Sequence, residues 1–393
     1  MRSVEEHQQV ISDLLPRMPV ISVSLAESAG LVLATHLLAP IDLPPFDNSA
    51  MDGYVVRSAD ITALPVTLPV SDDIPAGKTD STPLTPGTAA RIMTGAPIPQ
   101  GAEVIVQVEF TDGGTAFVTI NDAAPAGQHF RRRGEDVTAG AVVLTSGTVM
   151  GATQIGVAAA LGLTSVDVFR PVRVLVLSTG TELVAPGNPL GPGQIYESNA
   201  TMLAAAIREI GGVPTVLQFV PDDAAEFNSR LSSAADDVDL VLTTGGVSAG
   251  AYEVVKDALT GQGVDFVKVR MQPGGPQGAG MVRGVPVVTF PGNPVSAYVS
   301  FEVFLRPAIC KAMGHRSAAR PVITVPVSEA VDSPPGKRQF RRALLDTVAG
   351  TVKPWGGPGS HLLAWLAGAD AILVLGEDVT RLEVGEQAEV WLL

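Results

Sequence analysis

The sequence predicts a multidomain α/β plus β protein. Its parts are a central three-layer α/β module with a parallel-rich sheet, an inserted β domain, an N-terminal helical and extended domain, and a C-terminal small β-barrel. Three observations predict this. The chain has 393 residues, more than one ordinary core supports. Between Arg173 and Ala297, apolar runs of strand length repeatedly lead into loops of Gly, Pro, Thr and carboxylates, after which helical patterns begin. Short apolar runs broken by Pro and Gly turns fill 41–136 and return after 320.

Taken in order, residues 1–40 read as helical, with 23–34 as an apolar-faced helix. Residues 41–136 read as β, as in the run at 103–108. Residues 137–166 carry no charge, but Gly140, Gly147, Gly151, Gly156 and Gly162 interrupt them. No contiguous apolar stretch approaches the ~20 residues of a membrane span, so this segment reads as strand, helix, strand. Packed back on the start of the chain, it makes 1–40 and 137–170 one discontinuous domain and 41–136 an insertion. The α/β module covers 171–318. Its best helix runs over 199–210 with Met202, Leu203, Ala206, Ile207 and Ile210 on one face, Ser198 or Asn199 as cap, and Gly211-Gly212 as stop. Residues 319–393 return to short strands, which suits a small barrel or a sandwich.

Composition narrows the function. Hydrophobic residues make up 46% and charged ones 17%, which favours a folded chain. The net charge of −14 argues against nucleic acid or an anionic membrane as partner, so a bound anion needs local groups. The single Cys310 excludes an intrachain disulfide and a multi-cysteine zinc site; it reads as a buried, inert thiol. The N-terminus has no hydrophobic signal core, and the expected location is the cytoplasm.

The chemistry collects at the strand ends. Residues 174–177 lead into Ser178-Thr179-Gly180-Thr181-Glu182, and 216–220 into Pro221-Asp222-Asp223. Residues 240–242 lead into Thr243-Thr244-Gly245-Gly246-Val247-Ser248, and 285–290 into Pro291-Gly292-Asn293-Pro294. In an open parallel sheet the ligand crevice lies outside these carboxyl ends, and following helix starts offer N–H groups to an oxyanion. The glycine-rich turn alone is equally a plain connection, being neither a Walker loop nor a dinucleotide fingerprint. Each of Glu182, Asp222, Asp223 and Glu253 taken singly is more readily a cap or a surface acid; as a set beside phosphate they suit Mg²⁺. The basic clusters Arg131-Arg132-Arg133 and 337–342 read as attractors of a polyanionic small molecule in so acidic a chain.

Five separated segments, in order, carry a specific resemblance: Asp47 to Tyr54, Met93-Thr94-Gly95-Ala96, Arg132 to Asp136, Thr243 to Gly250, and Pro291 to Ala297. Together they resemble the MoeA family, the molybdopterin molybdenumtransferases, which include the C-terminal part of gephyrin. The resemblance implies a homodimer of four-domain subunits sharing an active-site cleft, with the helical and extended domain of 1–40 and 137–170 as its dimerisation domain. It implies adenylylated molybdopterin and molybdate as substrates, Mg²⁺ as cofactor, and release of AMP with the finished molybdenum cofactor. Carried over motif by motif, Asp52, Thr94, Glu182 and Asp222 match the catalytic groups, with Asp52, Glu182 and Asp222 as metal ligands. Matching the substrate-binding positions are Thr179, Gly180, Gly245, Gly246, Val247, Ser248, Glu253, Pro291, Gly292, Asn293, Pro294, Arg131, Asp136, Arg341 and Ser360. The family relation further implies transient contact with a molybdopterin adenylyltransferase and with molybdoenzymes. Two departures stand out. The family's Lys-Pro-Gly-Lys-Pro reads Gln272-Pro273-Gly274-Gly275-Pro276 here, and the aspartate after the glycine-rich turn is Glu253. Lys268 and Arg270 are the nearby cations that could stand in. Other readings are a low-activity or non-catalytic paralogue that binds cofactor or assembles partners, an adenylyltransferase working through the α/β module alone, and a nicotinamide dehydrogenase, for which no fingerprint follows any strand.

Overall fold

A computed structural model describes residues 1–123, 125–220, 237–246 and 254–393. At its centre six described strands form one sheet, in the order Val213–Val220, Arg173–Thr179, Leu240–Thr244, Val285–Phe290, Pro276–Val282, Val264–Lys268. The first four are mutually parallel; the last two pair antiparallel. The strands are apolar throughout because both faces of the sheet are covered. Val174, Val176, Leu240 and Leu242 join Leu203 and Ile207 in one core cluster, while Leu175, Leu177 and Val241 join Val255 and Leu259 in another. Alternate residues along one strand thus serve opposite cores.

The helix Asn199–Glu209 forms as its spacing predicts, burying Leu203, Ala206 and Ile207, and Gly211 follows at φ +83°. Its cap differs from expectation. Ser198 occupies the cap position without a side-chain bond. The buried carboxylate of Glu197 instead accepts the Ala200 N–H at 2.7 Å. That N–H is therefore already matched to a negative charge.

At the N-terminus the helix expected over 23–34 does not form. The helix of this region is Val4–Leu14, started by a Ser3/Glu6 capping box. Val20–Ser24 is instead a strand, paired antiparallel with Ser165–Phe169. Ser24 and Glu27 then bond each other, side chain to backbone in both directions, and Ser28 donates to the Leu25 carbonyl at 2.7 Å. Such local bonds compete with a helix, and strand pairing decides the outcome. Residues 137–166 do read out as strand Val142–Leu144, helix Ala152–Ala160 and the start of strand Ser165–Phe169. They share a core with Leu33 and Leu37. The helix Val4–Leu14 leans on the central module: His7 meets the Phe304 ring edge-on at 4.8 Å, and Gln8 donates to the Val303 carbonyl at 2.9 Å.

Residues 53–120 form a five-stranded sheet in the order Val104–Gln107, Gly53–Val56, Ala89–Ile92, Val66–Ile74, Phe117–Ile120. The last region forms a sheet from Arg338–Asp346, Ala371–Leu375, Gln387–Leu392 and Val322–Pro326, which Met271–Gln272 of the central module extends at one edge. A second tie joins the same two parts. Arg320, just before that region, makes a two-pronged bond to the buried Glu302 at 2.9 and 2.9 Å. Cys310 is buried, and burial pushes its thiol up to about 11. Among the described residues no helix is long and apolar enough to cross a membrane.

Candidate functional site

The carboxyl ends of the parallel strands open into a cavity of about 990 Å³. It lies where the strand order reverses, since Arg173–Thr179 is flanked by Val213–Val220 on one side and Leu240–Thr244 on the other. A parallel sheet parts its loops at such a point and leaves a crevice. Thr179, Gly180, Glu182, Gly245, Gly246, Gly292, Asn293 and Pro294 of the expected set line it.

The floor is backbone held close. Gly245 and Gly246 take φ of +95° and +65°. A Cβ on Gly245 would stand 2.7 Å from the Thr179 carbonyl oxygen, so no other residue fits without a shift. The Gly245 N–H donates to the Phe290 carbonyl at 3.1 Å, which ties the glycine-rich turn to the Pro291 turn. Pro291 itself is buried, and its carbonyl accepts from the Thr244 hydroxyl at 3.3 Å.

Asn199 is the fastener that the sequence reading missed. Its amide donates to the Gly292 carbonyl at 2.6 Å and to the Thr244 hydroxyl at 3.0 Å, clamping two strand-end loops to one helix start. Its Oδ1 is buried without a partner among the described residues. Glu197 was missed as well. It is buried, accepts from the Ser178 hydroxyl at 2.8 Å, and carries its charge at the cavity wall. A carboxylate or amide directly ahead of an apolar helix after a strand-end loop was the available signal. Glu182, by contrast, is exposed, with its oxygens near Gly180.

Asp222, Asp223, Val247, Ser248 and Glu253 lie outside the described residues. Asp52 and Thr94 meet each other in the five-stranded region: the Thr94 N–H and hydroxyl donate to Asp52 at 2.6 and 2.8 Å. Those two bonds, backbone first, hold the Asp52 carboxyl below its ordinary range. Neither residue is in the described lining of the cavity, and nor are Arg131, Asp136 or Arg341. Ser360 is not in the described lining either; its carbonyl accepts the Val295 N–H at 3.0 Å, and the next residue, His361, lines the cavity.

The basic clusters are largely spent at home, contrary to the sequence reading. Arg132 pairs with Asp47 at 2.7 Å, and Arg133 pairs with Asp42. Arg338 pairs with Glu5 at 2.6 Å, and Arg342 is buried, donating to the Gly359 and Gly357 carbonyls. Arg341 is half-buried, and burial pushes its guanidinium below the usual value. Gln272 is bonded by Gln339 at 3.3 Å, and Arg270, offered above as a stand-in cation, pairs with Glu377 at 3.2 Å. Neither Lys268 nor Arg270 is in the described lining.

No group of three or more potential metal-binding side chains gathers among the described residues. The donor set of the described lining is nevertheless mainly oxygen, with the exposed Glu182 carboxylate among threonine hydroxyls and one imidazole, that of His361. That chemistry suits a hard cation that keeps most of its waters and shares the rest of its shell with phosphate.

Comparison with known proteins is consistent along the whole chain. Residues 2–162 match the MoeA N-terminal region (domain I and II), 175–311 a probable molybdopterin binding domain, and 324–393 the MoeA C-terminal region (domain IV). The molybdopterin molybdenumtransferase 2 of Mycobacterium tuberculosis (strain H37Rv) is 53% identical over 100% of this chain and 99% of its own. The molybdopterin molybdenumtransferase of Haemophilus influenzae is 33% identical over 97% of each chain. Among solved structures, the molybdopterin biosynthesis moeA protein of Pyrococcus horikoshii OT3 superposes with a TM-score of 0.85 at 27% identity, covering 100% of both chains.

Proposed function

The chain belongs to the MoeA family of molybdopterin molybdenumtransferases, the enzymes of molybdenum cofactor biosynthesis, and on that premise we propose how it works. It takes molybdenum from molybdate onto the dithiolene sulfurs of adenylylated molybdopterin. An oxygen of water or molybdate attacks the phosphoanhydride, the P–O bond breaks, AMP leaves, and the other phosphate stays on the cofactor. No covalent protein nucleophile is required. The cavity at the reversal of strand order, floored by Gly245 and Gly246, is the observation that carries this reading.

The backbone around Gly180, Gly245 and Gly292 lets a phosphoanhydride approach closely, and Asn199 keeps the loops in register. Mg²⁺, held by Glu182 with Asp222 and Asp52, would neutralise charge on the anhydride. Asp52 and Thr94 are already preorganised as a bonded pair. Because they stand outside the lining of the cavity, a homodimer in which a second copy brings its Asp52 and Thr94 to the cleft completes the site. The β-barrel character of the last region and the four-domain division at 40, 136, 170 and 318 belong to the same reading, as does a cytoplasmic location.

Purified full-length protein incubated with adenylylated molybdopterin and Mg²⁺, with and without molybdate, tests it. Molybdate-dependent AMP release is expected. Release indifferent to molybdate would overturn the transferase reading, and binding without release would favour a non-catalytic paralogue.

A further inference from the structure

The cavity that has to hold a multiply charged anion is lined, among its described residues, by two carboxylates and by no lysine or arginine. Glu182 and Glu197 are two of the acids that bring the chain to a formal net charge of −14. One lining side chain, His361, can carry positive charge.

The fold aims and fixes this residue. Buried Arg342 donates to the Gly359 carbonyl at 3.0 Å and to that of Gly357, gripping the loop just ahead of it. The Ser360 carbonyl accepts the Val295 N–H at 3.0 Å, so the loop is docked on the first turn of the helix Pro294–Ser300. The His361 carbonyl accepts the Leu363 N–H at 2.9 Å, and Leu363 also lines the cavity. The main chain is thus held on both sides of His361, whereas its imidazole is exposed and has no hydrogen bond or ion pair to another described residue. A side chain on a fixed backbone with a free donor is what a ligand contact requires.

We propose that His361 is a substrate-binding residue that grips the phosphate of the nucleotide end of the substrate. The inference rests on the reading of the cavity as a phosphoanhydride site. An imidazole presents an N–H donor in either protonation state, and a charge-assisted bond to phosphate when protonated. In this chain the last region therefore supplies a contact to phosphate that no described lysine or arginine of the lining provides, which makes its docking part of substrate recognition.

The test compares AMP with adenosine as probes for full-length protein by titration calorimetry, in wild type and in His361→Ala, His361→Gln and His361→Arg. Loss of a charge-assisted contact weakens AMP binding by about ten- to a hundredfold in His361→Ala, with adenosine binding unchanged. His361→Arg restores AMP binding, and His361→Gln falls between. A merely structural role would weaken both probes alike and would overturn the proposal, as would unchanged AMP binding in His361→Ala. AMP release measured on the same variants separates the two levels. Normal KM and rate in His361→Ala would overturn the role of His361 while leaving the transferase reading intact. Absence of molybdate-dependent release in the wild type would remove both.

Discussion

The bond between Arg320 and Glu302 fastens the last region to the central module, and its loss should be measurable there. The Glu302 side chain is 0% exposed and that of Arg320 10%. Two bonds of 2.9 Å join them, and a further Arg320 nitrogen contact reaches Glu209 at 2.9 Å. Removing one partner of a buried pair strands the other charge, at a cost of about 3–5 kcal/mol. Arg306 remains 3.8 Å from Glu302, so Arg320→Met should fall at the lower end, near ~3 kcal/mol. Replacing both charges, Arg320→Met with Glu302→Leu, strands neither member of the pair, leaves Arg306 with Glu209 at 3.4 Å, and should recover all but about 1 kcal/mol. Trp355, Trp365 and Trp391 are the three tryptophans of the chain and all lie in the last region, so urea unfolding followed by tryptophan fluorescence reads this tie directly. A loss below about 1 kcal/mol in Arg320→Met, or a double variant no more stable than the single one, would refute the reasoning.

Other consequences are independent of that tie. His7 is wholly buried with both ring nitrogens lacking partners among the described residues, and burial first, then the charge of Arg2, pushes it down to about 4. The unfolded chain thus takes up a proton at His7 as pH falls from its ordinary value near 6.5, which the fold resists until about 4. Stability therefore drops through that window by at most about 3.5 kcal/mol. His7→Phe should flatten the dependence between pH 7 and 4.5 in denaturant titrations, and an unchanged slope would exclude His7 as its source. Gly245→Ala places a Cβ 2.7 Å from the Thr179 oxygen at a φ of +95°, so a loss of about 1–3 kcal/mol is expected, together with loss of AMP release. A variant with wild-type melting temperature and turnover would show that the loop adapts. Asp52 is exposed and bonded to Thr94, so Asp52→Ala should abolish AMP release while far-UV circular dichroism and melting stay near wild type. Normal rates would remove Asp52 from the site.

Much of the module was legible in the sequence because its signals are local. The unbroken apolar run of 174–177 marks a strand covered on both faces, and the apolar stripe on Asn199–Glu209 marks a helix with one buried face. Positive-φ glycines at 245 and 246, following a buried strand, mark a loop built for close approach. The same local reasoning failed at 23–34, where one spacing of apolar residues is compatible with a helix or with a strand and turn. The distant partner Ser165–Phe169 made the choice.

The motifs also identified which residues carry chemistry, because acids, hydroxyls and glycines at strand ends keep their chemical character wherever the chain places them. Which of them share a cavity was decided in three dimensions. Asn199 clamps Gly292 across the sheet, Glu197 takes the helix start that an incoming anion was expected to use, and Arg132 and Arg133 are neutralised by Asp47 and Asp42. His361, far along the chain in another region, is the imidazole that arrives. The physical reason is that a side chain's type is a covalent property, whereas its partner is set by packing. Long-range contacts spend most charges on one another and leave only the remainder for a ligand.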